Sequence, residues 1–333
     1  MRTRTRTRDV IRAVAGAAVA CLVLPACGLQ AASQYTPAAA PAGIRPLEGA
    51  AGSEIVVGSK NFTEQLVLGK IATIALQVAG FDVVDRTNIP GSVPARQGMV
   101  DGTIDMEWEY TGTAWLSYLG EAEPIVDPQE QYEAVRDADA AIGLTWLPPA
   151  PADNTYAFAV RSEALPELGD ITALSGLAAL PVEQRTFCVE SEFASRNDGL
   201  APMLETYGVP LGDPQGVPRE NIVILDTGAV YEATDQGACT FGEVFTTDGR
   251  IPALDLTVLE DDLDFFPNYN VVAVVATDVL ERHPGLADLF ARISPLLTDE
   301  VLQQLNARVD VDGEEPADVA LDWLVSEGLV DRA

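Results

Sequence analysis

Two carboxylates that stand close together, Glu107 and Glu109, are the strongest candidates for acid–base chemistry in this chain. They lie in residues 102–113 (GTIDMEWEYTGT), where apolar and acidic residues alternate with the period of two that predicts a β-strand. Both side chains then point to one face of the strand, and two ionised carboxylates there repel each other. Catalysis by this pair, as in a secreted hydrolase, is one interpretation, and a salt-bridged or solvated strand face is the favoured one.

Other catalytic patterns are missing from the sequence. The single histidine, His283, precedes Pro284, and we expect it at a helix start rather than in a catalytic group. The chain has no Gly-x-Ser-x-Gly elbow, Walker loop or His/Cys metal cluster. The sequence therefore predicts a protein that is not an enzyme and that carries neither a metal nor a cofactor.

Aromatic residues at predicted strand ends and chain crossovers suggest a different chemistry. A trimethylammonium group cannot donate a hydrogen bond, so a protein holds it by aromatic faces whose quadrupoles attract positive charge. Each ring contributes about 1 kcal/mol, so three or four rings must act together. For any single ring, packing in the core is the alternative, and the four tryptophans are assigned to packing. The candidate cage residues are Tyr110, Tyr156, Phe245 and Tyr269.

Two cations and a hydroxyl could bind an anionic group of the same ligand. Lys60 lies just before a predicted helix, whose positive end favours an anion, and Arg196 can grip a carboxylate with two donors. Thr113 adds a hydroxyl. Surface or interlobe salt bridges are the alternative for both cations. If both cations meet the ligand, they favour a carboxylated compound such as a betaine, because choline has no anionic group to offset them.

The elements that position these residues fall into two sets. Residues 54–110 alternate strand, helix, strand, helix, strand, which predicts a parallel sheet wrapped by helices. Asn61 and Glu64 predict a capping-box start for the first helix, and Gly80 predicts its end. A second set of alternating strands and helices follows residue 154. We therefore predict one lobe of residues 53–153 with 271–333 and another of residues 154–270, joined by crossovers near 153–156 and 268–271.

Three separated motifs in this chain resemble a known family. Residues 58–65 (GSKNFTEQ), 109–113 (EYTGT) and 246–251 (TTDGRI) are similar to the substrate-binding proteins of ABC importers for quaternary ammonium compounds such as glycine betaine, carnitine and choline. The resemblance covers most of residues 54–330. It implies an α/β, two-lobed periplasmic-binding-protein fold with two interlobe crossovers (type II), and a membrane permease as partner.

The resemblance also implies roles for residues at the matching positions. In similar proteins the aromatic residues form the ligand cage, and the lysine, arginine and threonine matching Lys60, Arg196 and Thr113 meet a carboxylate. Glu192 matches an acidic residue that holds the arginine or joins the lobes, and Asn154 belongs to the first crossover. Both are counted among the candidate ligand residues. Phe245 departs from the usual tyrosine and loses a hydroxyl. Glycine betaine is the expected ligand, with choline, carnitine or an amino acid as the alternative.

The amino-terminal residues predict export and anchoring. Arginines followed by an apolar run make residues 1–26 a secretory signal peptide, and residues 24–27 (LPAC) resemble a lipobox whose cysteine, Cys27, becomes acylated. An ordinary cleavage site is the alternative. Residues 27–52, rich in alanine and proline, predict a flexible tether. The expected location is the outer face of the cell membrane.

Charge and cysteine content add two expectations. The chain has 51 acidic against 20 basic residues, a net charge of −31, which argues against nucleic acid as a partner. Cys188 and Cys239 remain once the signal and Cys27 are set aside, and outside the cytoplasm such a pair tends to oxidise. A disulfide is favoured over two buried thiols. We expect the protein to be a monomer.

Overall fold

The computed structural model describes residues 35–121 and 123–333, so the predicted signal peptide and Cys27 lie outside the described residues. The strands are β1 Ala39–Pro41, β2 Glu54–Lys60, β3 Asp82–Ile89, β4 Met106–Tyr110, β5 Leu144–Trp146, β6 Tyr156–Arg161, β7 Phe187–Glu190, β8 Ile222–Leu225, β9 Phe241–Phe245, β10 Leu256–Val258, β11 Val271–Ala276 and β12 Val330–Arg332.

The α-helices surround these strands. They are α1 Thr63–Val78, α2 Ser92–Val100, α3 Pro128–Ala140, α4 Ser191–Ser195, α5 Leu200–Thr206, α6 Thr227–Asp235, α7 Arg250–Ala253, α8 Thr277–Arg282, α9 Gly285–Ile293, α10 Asp299–Asp310 and α11 Pro316–Ser326. Short 3₁₀ segments occur as well, and Thr113–Tyr118 is a π-helical turn directly after β4. No helix in the described part of the chain combines the length and apolar character needed to span a membrane.

Two five-stranded sheets organise the two lobes. The first has the order β3-β2-β4-β11-β5 and the second β10-β6-β9-β7-β8. Each has its own apolar core, and the two segments that connect them pair through a bridge between Asp153 and Asn270. The ends of the strands that carry candidate residues therefore meet where the lobes face each other.

The parallel arrangement predicted for the strands of residues 54–110 is confirmed, but the complete first sheet is mixed. Strands β2, β3 and β4 are parallel, but β11 runs antiparallel to both β4 and β5. The cause is the return of the chain from the second lobe, which brings β11 into the sheet from the opposite direction. Its sequence, VVAVVA, is wholly buried, as expected for a central strand covered on both faces.

The predicted capping box at the start of α1 is wrong. Phe62 is the N-cap, no side chain caps the helix, and Glu64 points inward instead. The predicted end is correct, since Gly80 follows the last turn with a φ of +100°.

The predicted tether is too long. Strand β1 pairs with β12, and Ile44 and Ala50 are buried in the core of the first lobe. Apolar residues spaced along this segment attach it to the lobe, so residues 39–50 belong to the folded body.

Cys188 and Cys239 form a disulfide in the second lobe, with their Cα atoms 5.6 Å apart. Cys188 lies in β7, and Cys239 lies two residues before β9.

Candidate functional site

A cavity of about 690 Å³ lies between the lobes, within the size range of small-molecule sites. Eight of the nine predicted ligand residues line it: Lys60, Tyr110, Thr113, Asn154, Tyr156, Glu192, Phe245 and Tyr269. The ninth, Arg196, does not. Residues far apart in sequence, from both lobes, thus line one shared cavity.

Strand ends position the aromatic side chains. Tyr110 is the last residue of β4, and Phe245 is the last residue of β9. Tyr156 begins β6 directly opposite Phe245 in the antiparallel pair. Tyr269 lies two residues before β11, in the second connecting segment. Because each ring is attached where a strand leaves its sheet, the sheets fix the spacing of the rings.

The rings form a continuous series around the cavity. Centroid distances are 5.4 Å from Tyr269 to Tyr156, 5.2 Å from Tyr156 to Phe245, and 5.2 Å from Phe245 to Phe62. Phe62 then contacts Tyr110 at 6.1 Å. The series joins both lobes, since Phe62 and Tyr110 belong to the first and Phe245 to the second.

Phe62 is a cavity residue that is not among the predicted ligand residues. It lies in the motif of residues 58–65, two residues after the end of β2. This position in a motif at a strand end is the feature that could have identified Phe62 from sequence. Its ring touches both lobes, and it supplies a fifth aromatic face.

The tyrosine hydroxyls are anchored away from the ring series. Tyr110 Oη donates to Glu64 at 2.7 Å, and Tyr269 Oη donates to Asp198 at 2.6 Å. Burial raises the pKa of both tyrosines well above the ordinary value, so both remain neutral donors. These bonds hold the planes of the two rings.

Lys60 lines the cavity but is already paired. Its Nζ forms a buried ion pair with Glu109 and lies 4.7 Å from the centroid of the Tyr110 ring. Glu109 also accepts from Tyr118 Oη at 2.6 Å. The favoured sequence interpretation of Glu109, a salt-bridged strand residue, agrees with this geometry.

Arg196 lies behind the ring series. Its Nε donates to Asp198 at 2.7 Å, and its guanidinium carbon lies 5.4 Å from the centroid of the Tyr156 ring. The guanidinium also pairs with Glu192 at 3.4 Å. The expectation that Lys60 and Arg196 would leave charge uncompensated beside choline is corrected, because each cation has a carboxylate partner in the protein.

Glu192 connects the lobes. Its Oε2 accepts from the backbone N–H of Ser92 in the first lobe at 3.0 Å. Burial alone would raise its pKa, but the hydrogen bonds from Ser92 and the charges of Lys60 and Arg196 lower it overall. Glu192 is thus held as a carboxylate across the cleft.

Glu107 is buried in the first sheet and does not line the cavity. Burial, with the charge of Glu109, raises its pKa to about 8. The pair Glu107 and Glu109 therefore offers the cavity no free acid and base.

Comparison with known proteins identifies the family. Residues 53–326 match the family described as the substrate binding domain of ABC-type glycine betaine transport systems. The chain belongs to this family. The glycine betaine transport family is one of binding proteins, so the chain is a substrate-binding protein and not an enzyme, and the hydrolase interpretation is withdrawn.

Individual members of the glycine betaine transport family are also similar to this chain in sequence. The glycine-betaine-binding protein of Pseudomonas aeruginosa is 39% identical over 283 residues, covering 83% of this chain and 88% of that protein. The glycine betaine-binding protein YehZ of Escherichia coli is 32% identical over 290 residues, which cover 85% of this chain and 93% of that protein. A crystal structure of a glycine betaine/carnitine/choline ABC transporter matches with a TM-score of 0.66 and 25% identity. The match covers 82% of this chain and 98% of that chain. The resemblance and the two-lobed α/β fold predicted from sequence are confirmed.

Proposed function

We propose that this protein is an extracytoplasmic solute-binding lipoprotein that delivers a quaternary-ammonium compatible solute, glycine betaine first, to an ABC permease. The observation that supports this most is the ring series of Phe62, Tyr110, Tyr156, Phe245 and Tyr269 around one interlobe cavity. No bond in the ligand is made or broken.

Cation–π attraction provides the affinity in this proposal. Each desolvated ring contributes about 1 kcal/mol, so five rings supply a large part of the roughly 8 kcal/mol that micromolar binding requires. The absence of a hydroxyl on Phe245 does not reduce this term, since the ring face carries the attraction. Its face also packs on Phe62, which helps to exclude water.

The ligand carboxylate is placed toward Lys60 and Thr113, which line the same cavity. Lys60 shares its charge between Glu109 and the ligand. Arg196 acts as a positioning residue, because it supports the Tyr156 ring from behind and holds Glu192. Asn154 orders the first connecting segment through its bond to Glu64.

Isothermal titration calorimetry tests the ligand. We expect glycine betaine to bind with a micromolar Kd and proline or another amino acid without a quaternary nitrogen to bind at least a hundredfold more weakly. Binding of an amino acid with no measurable affinity for glycine betaine, choline or carnitine would refute the proposal.

Choline and carnitine are the second candidates, and one observation favours keeping them. Because Lys60 and Arg196 are already paired with carboxylates, a ligand without an acid group leaves no cation unpaired. The same titration ranks the three compounds. A Kd for choline below that for glycine betaine would make choline the cargo.

Anchoring through Cys27 belongs to the same proposal. Two or more acyl chains give durable membrane attachment, whereas one gives only marginal binding. The Cys27→Ala variant of the full chain should move from the membrane fraction to the soluble extracytoplasmic fraction. If the variant stays in the membrane fraction, the protein is held there by something other than an acylated cysteine.

A further inference from the structure

One buried carboxylate beside the ring series has an unusual set of partners. Glu64, in the first turn of α1, is 2% exposed and accepts four hydrogen bonds. The Oε1 atom accepts from Tyr110 Oη at 2.7 Å and Asn154 Nδ2 at 2.8 Å. The Oε2 atom accepts from Thr247 Oγ1 and from Asn306 Nδ2 at 3.2 Å. All four donors are neutral.

Three other buried carboxylates around the site each have a cation partner. Glu109 pairs with Lys60, Asp198 with Arg196, and Asp248 with Arg250. Within residues 35–121 and 123–333, Glu64 takes part in no ion pair. Burial therefore raises its pKa, and the four hydrogen bonds oppose that rise only in part.

The surroundings of Glu64 favour the charged form of a carboxyl group more than the surroundings of Glu107 do. Glu107 is the unpaired buried glutamate of the first sheet. Glu107 has an oxygen, Oε2, without any hydrogen-bond partner, so no donor stabilises a negative charge on that oxygen. Both oxygens of Glu64 instead meet converging N–H and O–H groups, which is the environment of an acceptor-only carboxylate.

Glu64 also lies close to the ligand cavity. It lines a small void of about 10 Å³ together with Phe62, Asn154 and Phe245, and these three residues line the main cavity as well. Tyr110 and Asn154, which both line the main cavity, donate hydrogen bonds directly to the carboxylate.

We propose that Glu64 is the buried counter-charge for the cationic head of the ligand, and that it makes the site select a permanently charged nitrogen. The inference rests on the proposed function and adds a residue to it. An unpaired charge in a low-dielectric interior is unfavourable in the empty protein and becomes favourable when a cation enters within a few ångströms. Polarisation of the Tyr110 ring by its hydrogen bond to Glu64 acts in the same direction.

The test is Glu64→Gln in the full chain, with glycine betaine as the probe. Glutamine can be accommodated, because the hydroxyls of Tyr110 and Thr247 can accept as well as donate. The Oδ1 atom of Asn154 has no partner, so this amide can turn to accept from the new N–H. We expect the Kd to rise at least tenfold, about 1.4 kcal/mol.

The melting temperature of the ligand-free protein separates a counter-charge from a structural role. We expect it to stay within about 2 °C of the wild-type value or to rise, because the variant removes an unpaired charge. A larger fall accompanied by weaker binding would make Glu64 a structural residue and overturn the inference.

Glu107→Gln is the matched control, since it makes the same substitution at a buried carboxyl of the same lobe that does not line the cavity. Its Kd should stay within about twofold of wild type, a change of under 0.5 kcal/mol. If Glu64→Gln also binds within twofold of wild type, the counter-charge is refuted while the proposed function stands. If wild type binds no quaternary ammonium compound, the proposed function itself fails.

Discussion

The aromatic residues show how far single positions can be judged from sequence. Tyr110 and Phe245 could be selected because each stands between a predicted strand and a motif of small polar residues. Phe62 could not be separated from a helix start, because its role depends on contact with Phe245, 183 positions away in the chain. Patterns of period two or 3.6 locate elements, but they do not encode which side chains meet across a cleft.

Tyr156 is the central ring of the series and the most informative one to remove. It contacts Phe245 and Tyr269 within the site and Phe193 in the core of the second lobe. We expect Tyr156→Ala to raise the Kd for glycine betaine at least tenfold, about 1.4 kcal/mol or more, since one face is lost and its neighbours are exposed to water. Calorimetry measures this.

Tyr35→Ala is the control for that substitution, because Tyr35 is an exposed tyrosine whose hydroxyl bonds to Asp318 outside the site. It should bind as wild type does. Equal affinities for Tyr156→Ala and Tyr35→Ala would rule out the cage.

The titration of Glu107 should appear in the stability of the protein. Its pKa is raised to about 8 from an ordinary value of 4.5, first by burial and then by Glu109. Between these values the folded state binds a proton that the unfolded state lacks, so the free energy of unfolding falls as pH rises from 4.5 to 8. Glu107→Gln removes this pH-dependent fall in the free energy of unfolding. From pH 5 to pH 9 the variant should gain roughly 2–4 kcal/mol relative to wild type.

Urea unfolding at pH 5, 7 and 9 provides the measurement. The exposed Glu205→Gln serves as the control and should show the wild-type slope of stability against pH. Parallel slopes for Glu107→Gln and wild type would show that Glu107 is ionised throughout the folded protein.

At the scale of elements, most strands and helices follow from local patterns, whereas their directions in the sheets do not. The apolar run of β11 identified a buried strand, but its antiparallel place between β4 and β5 depends on how the chain returns from the second lobe. Similarly, alanine and proline composition suggested a tether up to residue 52. The pairing of β1 with β12 depends on residues almost 300 positions apart and has no local signal.

The disulfide fixes the two halves of the second sheet against each other. Cys188 and Cys239 close a loop with a sequence separation of 51, for which the chain-entropy model gives about 4 kcal/mol of stabilisation. A Cys188→Ala, Cys239→Ala double variant should melt about 10 °C lower than wild type. Its Kd for glycine betaine at 25 °C should change less than about twofold, because neither cysteine lines the cavity.

Wild type treated with a thiol reductant is the comparison for the disulfide. It should approach the melting temperature of the double variant once the bond is reduced. An unchanged melting temperature in the double variant would mean that the bond contributes nothing to the stability of the lobe.

At the scale of the whole molecule, a few polar contacts hold the lobes together around the cavity. Glu192 in the second lobe accepts from the backbone of Ser92 in the first, and Asn197 Nδ2 donates to the backbone oxygen of Leu116 at 2.8 Å. Both contacts join one lobe to the other. Opening of the lobes about those segments must break them, so they contribute to the closed form in which a ligand is enclosed.

Glu192→Ala should therefore weaken binding by shifting the equilibrium toward the open form rather than by removing a cage contact. A hydrogen bond from a backbone N–H to a partly exposed carboxylate contributes about 1 kcal/mol, so we expect a roughly fivefold rise in Kd. Most of the change should lie in faster dissociation, which stopped-flow fluorescence can follow. Glu205→Ala, an exposed glutamate of α5, should leave both constants unchanged. If Glu192→Ala slowed association but left dissociation unchanged, Glu192 would steer the ligand inward instead of holding the lobes closed.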